Sequence, residues 1–194
     1  MNIKGCYLEY YDDTHTYLVN GIIVPSITQI LKIKFGNKYK DVSDQVLMKA
    51  ADKGTQVHEA IERLCKTGEV EDLKEVKNFL FLQKHYKFEV LDNEVPVILF
   101  DDDGVPIAAG RLDLVLNING ETGLGDIKRT STLDKDYLAY QLNLYKIAYE
   151  QCYDVEIKFL KGLHLRDDVR KFVSIPIDKE LTWKLVEEYL EKES

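Results

Sequence analysis

The sequence predicts an α/β domain: a central mixed β-sheet flanked by helices, with a small N-terminal β/helical element. Three observations predict it. Helical apolar spacing covers residues 43–66 and 72–86, β-prone runs parted by turn residues cover 88–128, and a helix with two further strands follows. A block of helices, three meandering strands, a helix and two strands suggest a sheet covered by helices. At 194 residues and 45% apolar content the chain fits one domain, read as an N-terminal cover (1–42) and a core (43–194).

The elements follow in order. Cys6 to Val24 reads as short β structure, with Tyr7, Tyr10, Tyr11 and Tyr17 and a turn at Asn20-Gly21. Ser26 and Gln29 have capping-box spacing, so a helix is expected to begin near Ile27. From Ser43 to Lys66 the residues Val46, Leu47, Ala50, Val57, Ile61 and Leu64 approximate one helical face. Leu73, Val76, Phe79, Leu80 and Leu82 do the same from Asp72 to Tyr86. Strands are expected over Phe88–Phe100, Ile107–Asn117 and Gly123–Lys128, with turns at Asp101–Gly104 and Asn117–Gly120. Leu138–Tyr153 reads as a helix, Val155–Leu165 and Lys171–Ile177 as strands, and Lys179–Glu193 as a closing helix.

No apolar run approaches the roughly 18–20 residues that span a bilayer, and the N-terminus lacks the apolar stretch of a secretory signal. The chain is therefore expected in the cytoplasm. Cys6, Cys65 and Cys152 are odd in number and far apart, which speaks for buried free thiols over disulfides or a zinc site. The net charge of −8 disfavours tight non-specific binding to DNA. Its distribution softens the objection. Six acids and no Lys or Arg fall between Glu89 and Asp103, whereas Thr14 to Lys40 carries Lys32, Lys34, Lys38 and Lys40 and no acid.

On a strand, residues two apart face the same side, so Asp126 and Lys128 can point together into one cleft while Ile127 faces the core. A neighbouring strand with Asp113 can add a second carboxylate. Two carboxylates are hard ligands suited to Mg²⁺, and a nearby ammonium can stabilise charge on a phosphorane or hold a water. Acid-x-Lys spacing alone is weak, because Asp72-x-Lys74, Glu75-x-Lys77 and Glu156-x-Lys158 also occur. The first two lie in a helix, where such residues diverge. Glu156-x-Lys158 reads as strand but has no Gly-x-x-Asp strand before it. By itself the Asp126/Lys128 pair also fits a solvated salt bridge.

Other residues add weight. Gly54, His58 and Glu62 sit one turn apart, so His58 can reach the cleft while Gly54 permits close backbone approach. The plain alternative is a surface His paired with Glu62. Gln141 and Tyr145 form a second pair four apart, on a helix that follows the Asp-x-Lys strand; an ordinary amphipathic helix would look the same. Arg129, Thr130 and Ser131 stand where they can grip phosphate.

Taken in order, Gly54…His58…Glu62, Gly110-Arg111-Leu-Asp113, Asp126-Ile-Lys128 and Gln141…Tyr145 resemble the PD-(D/E)XK nuclease superfamily in its RecB-like exonuclease branch. Val24-Pro-Ser26-Ile-Thr-Gln-Ile-Leu31 is similar to the Val-Pro-Ser-Val-Thr opening of phage exonucleases and the mitochondrial genome maintenance exonuclease. The resemblance implies a restriction-endonuclease-like core and Mg²⁺- or Mn²⁺-dependent hydrolysis of DNA. It implies His58, Asp113, Asp126 and the Ile127 carbonyl as metal ligands and Lys128 as catalytic. Gln141 and Tyr145 would orient Lys128 or touch DNA, with Glu62 or Glu94 as a further acid. Arg129 stands where many members carry Thr, and the chain has too few cysteines for the iron–sulfur cluster of some relatives.

The implied activity is exonucleolytic, in phage or prophage recombination or repair, with DNA ends as partner and a single-strand annealing or recombination protein as companion. An oligomer is compatible with the sequence. A structure-specific or nicking endonuclease on the same core is the nearest alternative, and a catalytically silent nucleic-acid- or protein-binding module the alternative of another class.

Overall fold

The computed structural model describes residues 1–36 and 44–193; Lys38 and Lys40 lie outside them. It is α/β, with a small N-terminal antiparallel sheet ahead of a mixed five-stranded sheet flanked by helices. Strands β1 (Asn2–Ile3), β2 (Cys6–Tyr11), β3 (Thr16–Val19) and β4 (Ile22–Val24) form the first sheet in that order. β1 was not foreseen, being only two residues long. The β3–β4 hairpin turns at Asn20 and Gly21, both with positive φ, as an Asn-Gly pair favours.

Helix α1 (Ile27–Phe35) opens on the expected capping box: the Gln29 amide donates to Ser26 Oγ, and the Ser26 amide to Gln29 Oε1. Its buried residues Ile27, Ile30 and Leu31 pack toward the main sheet. Beside it Ser26 bridges Ala109, and the Ala109 amide donates to the Pro25 carbonyl at 3.0 Å, tying the N-terminal sheet to the main one.

Then come α2 (Asp44–Thr67), α3 (Lys74–Tyr86), β5 (Glu89–Phe100), β6 (Pro106–Ile118), β7 (Glu121–Lys128), α4 (Lys135–Tyr153), β8 (Phe159–Arg166), β9 (Val169–Ile175) and α5 (Lys179–Glu193). The sheet order is β5-β6-β7-β8-β9, with β7 and β8 parallel and every other pair antiparallel. A parallel pair needs a crossover, and α4 supplies it. The final strand pair begins later than expected. Val155–Lys158 stay outside the sheet because Asp154 caps α4 in a left-handed conformation, so Glu156 and Lys158 form an exposed ion pair ahead of β8.

Two apolar layers hold the sheet. One gathers α1, α4, α5 and the N-terminal strands around Val97, Leu124, Leu142 and Leu160. The other packs α2 and α3 against Leu114, Leu116, Ile127 and Leu163. No helix among the described residues is long and apolar enough to cross a membrane. Of the three free thiols Cys152 is buried as expected, but Cys6 and Cys65 are only half-buried.

Candidate metal centre

The site arises where two strands part. The β6–β7 ladder runs from Ile118↔Glu121 to Leu114↔Gly125 and stops, although β7 continues to Lys128 along β8. Past Gly125, β7 is paired on one flank only. The Ile127 amide, lacking a ladder partner on the β6 side, donates instead to Asp113 Oδ2 at 2.6 Å. That bond locks Asp113 across the gap. Asp126 and Lys128 emerge together, while Ile127 packs into the layer under α2 and α3.

Lys128 Nζ lies 2.5 Å from Asp126 Oδ2, with Asp126 buried and Lys128 half-buried. Asp126 Oδ2 is buried, and the Lys128 ammonium is the charged group set against it. Burial pushes the Asp126 carboxyl up to about 6, against the opposing pull of Lys128. Burial disfavours the Lys128 ammonium, but Asp126 and Asp113 outweigh it and hold the pKa above the ordinary lysine value.

His58 comes from α2, whose Val57, Ala60 and Ile61 anchor the helix in the core. Its Nε2 lies 3.2 Å from the Ile127 carbonyl oxygen, and its Nδ1 lies 3.7 Å from both Asp113 Oδ1 and Glu94 Oε1. Burial pulls the imidazole pKa down, yet Asp113, Glu94 and Asp126 together raise it to about 9. Without a metal ion it is an imidazolium at neutral pH, donating to the Ile127 carbonyl.

Glu94 completes the group. Asn93 faces Leu114 and Val95 faces Leu112, which sets Glu94 opposite Asp113. Its φ of +50° is left-handed in the middle of β5, just after a register shift at Val90/Asp92. For a non-glycine residue this backbone costs about 1–3 kcal/mol. The distortion aims the carboxylate at His58 and, at 2.6 Å, at Arg111 Nε. Five other acids between Glu89 and Asp103 left it one candidate among several in the sequence.

The residues fit a hard divalent cation. One ligand atom each from His58, Glu94 and Asp113 lies within 4.8 Å of the others. The Ile127 carbonyl meets the other ring nitrogen of the imidazole, Nε2, while Nδ1 is turned to the two carboxylates. Carboxylates, a carbonyl and one imidazole make a donor set for Mg²⁺ or Mn²⁺. Asp126 is outside the tight trio, its oxygen turned to Lys128.

No family model matches the chain, and no curated protein matches it. Among solved structures, that of SSO0001 is similar over 87% of this chain and 75% of its own length, at TM-score 0.50 and 17% identity. The likeness is one of fold.

The remaining expected residues divide. Tyr145 is buried with its ring against Gly110, where a Cβ would come within 2.9 Å of it, so that glycine is there for close approach. Burial first, then tyrosine and carboxylate neighbours that include Asp113 and Asp126, holds its phenol well above the ordinary range. Gln141, on α4, is buried with its Oε1 unpartnered. Arg111 packs over the Tyr10 ring at 5.1 Å while pairing with Glu94.

Other placements differ from expectation. Arg129, expected at the phosphate, is turned to the half-buried pair with Glu75 at 2.7 Å and to Asp167, because the residue after Lys128 faces the other way. Glu62 pairs with Lys66 on the surface of α2 and stays out of the cluster. A Cβ at Gly54 would meet nothing within 4 Å, so no close approach occurs there. Thr130 donates its hydroxyl to the Thr132 carbonyl, Ser131 is exposed, and Ser26 serves as the α1 cap.

Proposed function

We propose that this chain is a metal-dependent deoxyribonuclease of the PD-(D/E)XK type, acting as an exonuclease on DNA ends. The observation that carries the reading is the convergence of His58, Glu94 and Asp113 next to the strand that bears the Asp126–Lys128 pair. A bound Mg²⁺ or Mn²⁺ polarises a phosphoryl oxygen and acidifies a coordinated water. His58, Glu94 and Asp113 would hold it, with the Ile127 carbonyl and the Asp126 carboxylate as further oxygen donors. Lys128 keeps its proton, because its pKa is raised, so it serves as a fixed cation against charge developing on the phosphate and not as a base. Burial raises the Asp126 carboxyl, but with Lys128 and a bound cation beside it this group would stay a carboxylate and serve as a ligand. Asp113 holds the Ile127 amide and so fixes the angle of the neighbouring carbonyl. The setting is phage or prophage recombination or repair in the cytoplasm of a bacterial or phage-infected cell.

The test uses 5′- and 3′-labelled single- and double-stranded DNA and a closed single-stranded circle, with and without Mg²⁺ or Mn²⁺. Metal-dependent shortening from ends is expected, with the circle left whole. Lys128→Ala is expected to lower the rate by at least about a hundredfold, the scale of losing one preorganised charge-stabilising group. Undiminished degradation by pure Lys128→Ala protein sinks this mechanism, and a cut circle converts the reading to an endonuclease.

A further inference from the structure

A pocket of about 230 Å³ opens beside Lys128, lined by Lys128, Thr130, Thr132, Asp134 and Tyr137. His58, Glu94 and Asp113 do not line it, so it is a recess that shares only Lys128 with the metal centre.

Its walls are held from behind. His164, buried opposite Lys128 on β8, bonds through Nε2 to the Thr130 carbonyl at 2.7 Å. The Thr130 hydroxyl closes onto the Thr132 carbonyl at 2.9 Å, which sets the loop. Asp134 caps α4 by accepting from the Tyr137 amide at 3.1 Å and so places Tyr137 in the first turn. The half-buried Tyr137 ring meets Phe35 of α1 at 5.3 Å and 69°, and Phe35 meets Tyr140 at 5.5 Å and 74°. Lys34 Nζ lies 5.1 Å over the Tyr140 ring. Tyr137 is thus the pocket's aromatic face, backed by a cluster of Phe35, Tyr140 and Lys34.

Size and charge select the occupant. The volume falls below the ~300–1,000 Å³ of sites for drug-sized ligands, which admits one base and excludes a base pair. A phosphate would meet the Asp134 carboxylate, with Asp136 in the same first turn, and is disfavoured. A neutral π face beside hydroxyls and a tyrosine ring is not. Stacking on aromatic side chains takes any base, and a lysine on the wall suits the following backbone.

We infer that this pocket receives one unpaired nucleobase, stacked on Tyr137, from the nucleotide next to the phosphate held at the metal centre. The substrate class that follows is single-stranded DNA, or a duplex end frayed by at least one nucleotide. The inference rests on the nuclease reading above.

The test is a walk of single abasic sites along a labelled single strand, cleaved by the wild-type protein with Mg²⁺ or Mn²⁺. At one position beside the scissile phosphate, loss of the base is expected to slow cleavage about tenfold, within the span of base–aromatic stacking. Tyr137→Leu is expected to slow the intact strand by a similar factor and to erase the abasic penalty, while Tyr137→Phe keeps it. Even cleavage of all abasic strands by the wild-type protein overturns the pocket and leaves the nuclease reading standing. A penalty that survives in Tyr137→Leu overturns it too. No cleavage of any strand with either ion overturns both readings together.

Discussion

At the scale of residues, the metal centre is a balance of charge. Glu94, Asp113 and Asp126 supply three carboxylates, and Lys128, Arg111 and protonated His58 oppose them at close range. The proton on His58 stands in the electrostatic place of a cation, which is why three acids can share a partly dry cleft. A metal ion needs the neutral imidazole, so binding must expel that proton. The sign follows. With a metal-free pKa of about 9, affinity for Mg²⁺ or Mn²⁺ is expected to rise as pH climbs toward 9 and to flatten above it. Calorimetry in buffers of different ionisation enthalpy is expected to count close to one proton released per ion at pH 7, and none from His58→Gln. The same raised pKa stabilises the metal-free fold fully below the unfolded value of ~6.5 and progressively less as pH rises through 9.

At the scale of elements, local chemistry was readable and long-range chemistry was not. The α1 start was legible because Ser26 and Gln29 satisfy each other three residues apart. Ser26→Ala is expected to cost about 1 kcal/mol, measured as a lower urea midpoint with unchanged slope. Asp126 and Lys128 were legible for the same reason: strand periodicity alone sets them on one side. The pairing of Arg129 was not legible because its partners Glu75 and Asp167 lie 54 and 38 residues away, on α3 and in the β8–β9 turn. Glu94 was left open because its part depends on a left-handed kink in β5 and on pairing with β6, neither of which leaves a mark in the residues nearby. The late start of β8 has a similar cause: the chain is still turning out of α4 past the left-handed Asp154, and it meets β7 only at Lys158, whose amide donates to the Thr122 carbonyl.

At the scale of the whole molecule, the site is a junction between layers. His58 reaches it from the α2–α3 face, Tyr145 from α4, Arg111 and Glu94 from the sheet, and Tyr10 from the N-terminal strands through Arg111. An ion held there ties these parts together and is expected to raise the stability of all of them. At a hundredfold excess over its dissociation constant the gain is about 2.7 kcal/mol. For a chain of this length that is on the order of 5–10 °C in Tm. Scanning calorimetry with Mn²⁺ is expected to show this shift for the wild-type chain and to lose it for Asp113→Ala. The early end of the β6–β7 ladder also has a spectroscopic side. Because the Ile127 amide bonds to a carboxylate and not to a carbonyl, its proton resonance should lie well downfield of its strand neighbours. Any change in the charge on Asp113 will move that one peak first, so the molecule carries its own gauge of how full the site is.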